Sequence, residues 1–262
     1  MAFQRLIVCG DSYSEGMTDE VIDGKYRGWA DRVADVMAGA HPDFTYVNLA
    51  IRGKLLPQVV EHQVPVALTF VTGTDTLITF HAGANDALRP GYQASIAIAL
   101  YQEAVRLISK SGATVMLFTV LERTGNKGKG AELWEKRFSE FNRGVREVGD
   151  EVGAIVVDAN QESFFSDRRF LAFDRLHLNA MGHDRVAQAV LELIGLPFDA
   201  RWRDPLPPAK PQPKAFRALI TALWFIGFVI PWMWRRARGK SSGDGRSCKY
   251  PIAIHWPLTH LD

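Results

Sequence analysis

Ser12, Gly53, Asn85, Asp174 and His177 are the residues of this 262-residue chain whose types and order could do chemistry. Ser12 ends Gly10-Asp11-Ser12, directly after the apolar run Leu6–Cys9. A hydroxyl is a weak nucleophile and needs a base to take its proton as it attacks. An imidazole can do this near neutral pH. Asp174 and His177 are three residues apart, so one turn can set the carboxylate beside the ring. There it would fix the tautomer and steady the imidazolium. Charge developing on a carbonyl oxygen needs aimed N–H donors. Asn85, in Gly83-Ala84-Asn85-Asp86, offers a side-chain amide, and Gly53 offers an unshielded backbone N–H. The parts together are those of acyl transfer.

Each motif is weak alone. Gly-Asp-Ser also reads as a loop opener with a capping serine, and Asp174 as a cap beside an unrelated surface histidine. A Gly-x-Asn-Asp stretch is often only a turn. Asp11 and Asp86 read as structural carboxylates that hold turn backbone. His81 lies inside an apolar strand and reads as a core histidine. His183, the nearest competitor of His177, falls in a helical pattern and reads as packed or solvent-facing.

The elements that must position these residues alternate. Leu6–Cys9, Phe44–Leu49, Leu77–Ala82, Thr114–Val120 and Ala154–Val157 are continuous apolar runs, as in parallel strands covered on both faces. Helical patterns fall at Trp29–Ala40, Pro57–Leu68, Gln93–Ser109, Ala131–Val148 and Asn179–Leu193. This alternation predicts a doubly wound α/β sandwich. All the motifs fall where strands end, where such sheets bind ligands. Thr124–Gly130 reads as a loop, either over the site or as a plain surface connection.

Size and composition suit one such domain with an appendage. The formal net charge of +2 gives no general reason to expect nucleic acid. Cys9 and Cys248 form neither a disulfide framework nor a metal-ligand set. Leu6–Cys9 is too short for a signal-peptide core, so a cytoplasmic protein is expected. The domain is expected over 1–197, a Pro-rich linker over 198–217, an apolar then basic helical segment over 218–240 and a poorly ordered tail over 241–262. Pro205–Pro213 alone holds five prolines.

The set resembles the SGNH hydrolase superfamily, the GDSL esterases and lipases. Its four letters correspond to Ser12, Gly53, Asn85 and His177. Gly10-Asp11-Ser12-Tyr13-Ser14-Glu15-Gly16 is similar to the first block, although Tyr13 stands where Leu is common. Asn48–Gly53 resembles the second, Gly83–Asp86 the third and Asp174-x-x-His177 the fifth. The resemblance covers about residues 4–196 and implies a three-layer α/β/α sandwich, flavodoxin-like, with a five-stranded parallel sheet. It implies a triad of Ser12, His177 and Asp174. It also implies an oxyanion hole of the Ser12 N–H, the Gly53 N–H and the Asn85 side chain. No metal or other cofactor is implied. The basic stretch and Ser241-Ser242-Gly243-Asp244-Gly245 resemble the tails of actinobacterial members.

On this reading the chain is a serine esterase or lipase acting on a small-molecule ester. The rivals are a carbohydrate O-deacetylase, an acyltransferase of the same fold, and a non-catalytic binding module. Ala218–Trp234 is apolar and uncharged, contains three tryptophans and precedes Arg235, Arg236, Arg238 and Lys240. It could pack on the domain or in a dimer, lie on a membrane surface, or span a membrane. Pro231 argues for an interrupted helix, and oligomeric state stays open.

Overall fold

The computed structural model describes residues 3–122, 128–161 and 167–257. Five parallel strands form where the apolar runs predict them: β1 (Arg5–Gly10), β4 (Thr45–Asn48), β5 (Thr76–His81), β6 (Thr114–Phe118) and β7 (Ile155–Val157). A small antiparallel ribbon, β2 (Val21–Ile22) and β3 (Lys25–Tyr26), lies outside the sheet and was not expected. A sixth sheet strand, β8 (Tyr250–His255), completes the order β7-β6-β5-β1-β4-β8. Central β1 pairs with β4 and β5, so the motif at its end lies mid-sheet.

Helices cover both faces. α2 (Gly28–Ala40) and α8 (Ala180–Leu193) pack together on one, over Trp29, Val33, Val186 and Val190. α6 (Ala94–Ser109) and α7 (Lys129–Val152) pack on the other with α3 (Leu56–His62) and α4 (Val64–Leu68). The expected helix Pro57–Leu68 is thus two helices, divided at Gln63. Pro65 removes the N–H that a continuous helix needs there. The Gln63 side chain brackets the end of β1: Gly10 N–H donates to its Oε1 at 2.7 Å, and its Nε2 donates to Gly10 C=O at 2.9 Å. Two short helices, α1 (Ser12–Glu15) and α5 (Ala84–Ala87), start at the carboxyl ends of β1 and β5. The loop reading of Thr124–Gly130 falls largely outside the described residues; Lys129 and Gly130 open α7.

The tail corrects an expectation. Tyr250–His255 is not loose but runs antiparallel to β4. Just before it, the buried Lys249 Nζ lies 2.7 Å from Asp31 and also donates to the carbonyls of Tyr26 and Arg27. Asp31 in turn accepts from Tyr46 Oη at 2.8 Å. Tyr46, Tyr250 and Trp256 form an aromatic cluster with ring centroids 5.2–5.4 Å apart. Pro251 is tolerated because β8 is an edge strand.

Between the domain and β8 the chain forms a helix over Lys214–Ala237, longer than the expected apolar stretch. Pro231 does not interrupt it: a π turn over Phe225–Val229 absorbs the missing hydrogen bond. Trp224 Nε1 donates to Asp174 C=O at 2.9 Å, Arg175 stacks 4.5 Å over the Trp224 ring, and Arg236 donates to Leu88 C=O at 3.0 Å.

Candidate active site

The end of β1 is crowded. A Cβ on Gly10 would meet the His81 carbonyl at 2.5 Å, so only glycine lets β1 and β5 end side by side here. Asp11 then caps α1, its side chain accepting from Tyr13 N–H at 3.1 Å. This presents Ser12 at the first turn. From 165 residues downstream, His177 Nε2 lies 3.0 Å from Ser12 Oγ. His177 Nδ1 lies 2.6 Å from Asp174 Oδ2. Asp174 Oδ1 accepts the backbone N–H groups of Leu176 and His177, both at 3.0 Å. Burial raises the Asp174 carboxyl, but the imidazole and these N–H groups outweigh it and hold it below the usual carboxylate range. The turn between them carries Arg175 at φ 60°, a left-handed conformation uncommon for a side chain of this size. Trp224, on the C-terminal helix, braces that turn.

Asn85 opens α5 and reaches the same place. Its Nδ2 donates to Asp11 Oδ2 at 3.0 Å and to Lys54 C=O at 3.1 Å, so both amide protons are engaged. Gly53 has φ +72° and lies against Ser241, whose hydroxyl donates to the Gly53 carbonyl at 3.0 Å. Asp86 holds the start of α3 by accepting from Leu56 N–H at 2.8 Å; burial pushes its carboxyl up to about 6.

Ser12 and His177 open on a cavity of about 140 Å³, lined by Leu88, Val120, Phe138, Leu171, Leu178 and Val186 among others. His81 and His183 also line it. His183 is buried, with Nε2 3.1 Å from Met17 C=O, and does not pair with Ser12. His81 is buried too, its ring 4.4 Å from that of Tyr13, but its Nδ1 has no hydrogen-bond partner.

Sequence reasoning missed one buried pair. Glu15 accepts Arg52 N–H at 2.6 Å, and its carboxylate receives the Arg52 guanidinium. It ties α1 to the loop bearing Gly53. Both residues lie within quoted blocks, but nothing in their spacing of 37 announces a contact.

The parallel sheet, flanking helices and strand-end site are those of the SGNH hydrolase fold. An acetylxylan esterase from Geobacillus stearothermophilus superposes with a TM-score of 0.60 at 17% identity, over 76% of this chain and 97% of that one. A lipolytic protein of the G-D-S-L family from Veillonella parvula gives 0.58 at 19%, over 73% and 98%. TesA gives 0.59 at 21%, over 73% and 98%. At these identities the likeness shows the fold. No curated protein matches the sequence. The chain belongs to the GDSL-like lipase/acylhydrolase family, whose model matches residues 8–185. The C-terminal helix and β8 lie beyond that match.

Proposed function

We propose that this protein hydrolyses carboxylic esters through an acyl-serine intermediate. The observation that carries the reading is the continuous hydrogen-bond chain Ser12–His177–Asp174 at the mouth of an apolar cavity. His177 Nε2 takes the Ser12 proton as Oγ attacks the carbonyl carbon. The tetrahedral oxyanion is met by the N–H groups of Ser12 and Gly53 and by Asn85, which exchanges its Lys54 carbonyl for it. His177 then protonates the departing alcohol. Water, deprotonated by the same nitrogen, releases the acid and restores Ser12. Asp174 holds the ring throughout.

Leu88, Val120, Phe138, Leu171, Leu178 and Val186 favour an apolar acyl group, although His81, Thr119 and His183 also line the cavity. Ser12→Ala is expected to lower turnover of a short p-nitrophenyl ester by roughly 10⁴–10⁶-fold while leaving the fold intact. Near-normal turnover, or no labelling of Ser12 by a fluorophosphonate, defeats the reading. An ester chain-length series set against acetylated sugars tests the acyl preference. Product analysis with added alcohol separates hydrolysis from acyl transfer.

The C-terminal helix adds a location. Phe216, Leu219, Leu223, Ile226, Ile230 and Met233 recur every three or four residues and are all exposed. Trp224 and Arg236, with their bonds to the domain, face the other way. From 205 to 243 the chain has seven cations (Lys210, Lys214, Arg217, Arg235, Arg236, Arg238 and Lys240) and no acid. An outward apolar stripe with this charge fits an anionic lipid surface. Spanning the bilayer would cost the bonds from Trp224 and Arg236. On this reading the helix lies in the interface and keeps its ties to the domain.

A further inference from the structure

Beside the acyl cavity lies a smaller recess of about 50 Å³, lined by Gly53, Asn85, Arg89, Arg235, Arg236 and Lys240, with Trp232, Ser241 and Ser242. Asn85 lines both, so the two meet at the proposed oxyanion donors. Four cations surround the recess and no carboxylate lines it. None of the four makes an ion pair with another described residue. Arg89 Nε is enclosed and has no hydrogen-bond partner. Arg236 lies 3.9 Å over the Trp232 ring, which fixes its plane. Burial, and then the nearby charge of Arg89, push the Arg236 guanidinium down to about 10. Arg89 and Arg236 are half-buried like charges; the Asp86 carboxylate feels the Arg89 charge without pairing with it, and an arriving anion relieves the repulsion further. Guanidinium groups suit oxyanions because they donate in a planar fork. Arg235 and Arg236 lie in the last turn of the C-terminal helix and Lys240 just follows it, all beyond the family match at 8–185. Ser241, bonded to the Gly53 carbonyl, holds that segment against the site.

We propose that this recess binds a phosphate or carboxylate carried on the alcohol side of the ester, while the apolar cavity takes the acyl side. The proposal rests on the acyl-serine reading: with the carbonyl carbon at Ser12, the two halves of an ester leave it in different directions. The substrate class is therefore an acyl ester of an anionic alcohol. Free phosphate shares the recognising chemistry, and the test separates the two.

Octanoyl esters of glycerol and of glycerol 3-phosphate differ by that anion alone. With the full chain and monomeric substrate, kcat/KM is expected to be roughly ten-fold higher for the phosphorylated ester, the advantage shrinking as salt is added. Arg89→Gln and Arg236→Gln bring the ratio of the two kcat/KM values towards one, and Arg236→Lys keeps part of it. If these variants fold poorly, the exposed Arg235→Gln and Lys240→Gln move the ratio in the same direction. Inorganic phosphate should compete with the phosphorylated ester; phosphate that binds without competing overturns the proposal. So does equal kcat/KM for the two esters, or a preference that appears only when anionic vesicles are added. Calorimetric titration of glycerol 3-phosphate into Ser12→Ala keeps the two readings apart. Binding there that Arg236→Gln removes supports the recess even if Ser12→Ala still turns over ester, a result that would sink only the acyl-serine step.

Discussion

Arg52 and Glu15 show how little of the chemistry rests on the reacting groups alone. Glu15 follows Ser12 by three residues and Arg52 precedes Gly53, so their pair sets the distance between the proposed nucleophile and the proposed oxyanion loop. Burial disfavours the guanidinium charge, but Glu15 more than offsets this and raises Arg52 above its ordinary range. Arg52→Met would leave a buried carboxylate with only one N–H from the loop. It is expected to destabilise the fold by about 3–5 kcal/mol, read as a drop in the urea midpoint. Adding Glu15→Leu should restore much of the stability but not kcat, because the loop then lacks its register. A single variant as stable and active as the parent would show the pair to be incidental. At this scale the sequence announced Ser12, Asp174 and His177 because strand-end position and i,i+3 spacing are local properties. It left Glu15–Arg52 and the Asn85–Asp11 bond unread because those contacts depend on tertiary approach.

Among the elements, the C-terminal helix carries the clearest test. Leu223 and Ile226 point outward, and neither contributes to the ties at Trp224 and Arg236. Leu223→Glu with Ile226→Glu should leave turnover of a soluble ester near the parent value. It should lower cosedimentation with anionic vesicles by roughly ten-fold or more, each buried Leu or Ile side chain being worth about 1.5–3 kcal/mol. Unchanged cosedimentation, or a parent chain that proves dimeric through this face, rejects the membrane reading. The five parallel strands were legible because a strand covered on both faces is apolar throughout. β8 was not: Tyr250–His255 is an edge strand with a proline and several exposed residues, and its partner β4 is two hundred positions away. Pro231 misled because a π turn can carry a helix past a proline, which no local pattern records.

For the molecule as a whole, buried titratable groups set the pH response. Burial pushes His183 down to about 4; Asp19 opposes this, while Arg32 and Lys249 add to it. Between pH 6.5 and 4 the unfolded chain binds a proton that the folded chain refuses. His183 therefore leaves stability intact above pH 6.5 and removes it as pH falls, by up to about 3 kcal/mol. Asp86, held near 6, works in the opposite sense over pH 6 to 4, since its folded carboxyl takes the proton first. Urea midpoints from pH 7 to 4.5 should fall less steeply in His183→Leu than in the parent, and more steeply in Asp86→Asn. Identical slopes in all three would reject these assignments. The doubly wound α/β architecture was legible in strand–helix alternation, whereas the sense of the pH response needed burial, which belongs to the assembled fold.

The strand that finishes the sheet is translated after the apolar helix. Until residues 250–255 leave the ribosome, the nascent chain displays both an open β4 edge and the greasy stripe from Phe216 to Met233, while Asp31 waits for the ammonium of Lys249. Chains stalled or clipped in that interval would be the species most prone to stick to one another. A soluble yield that collapses when translation ends before Lys249 would be the visible sign.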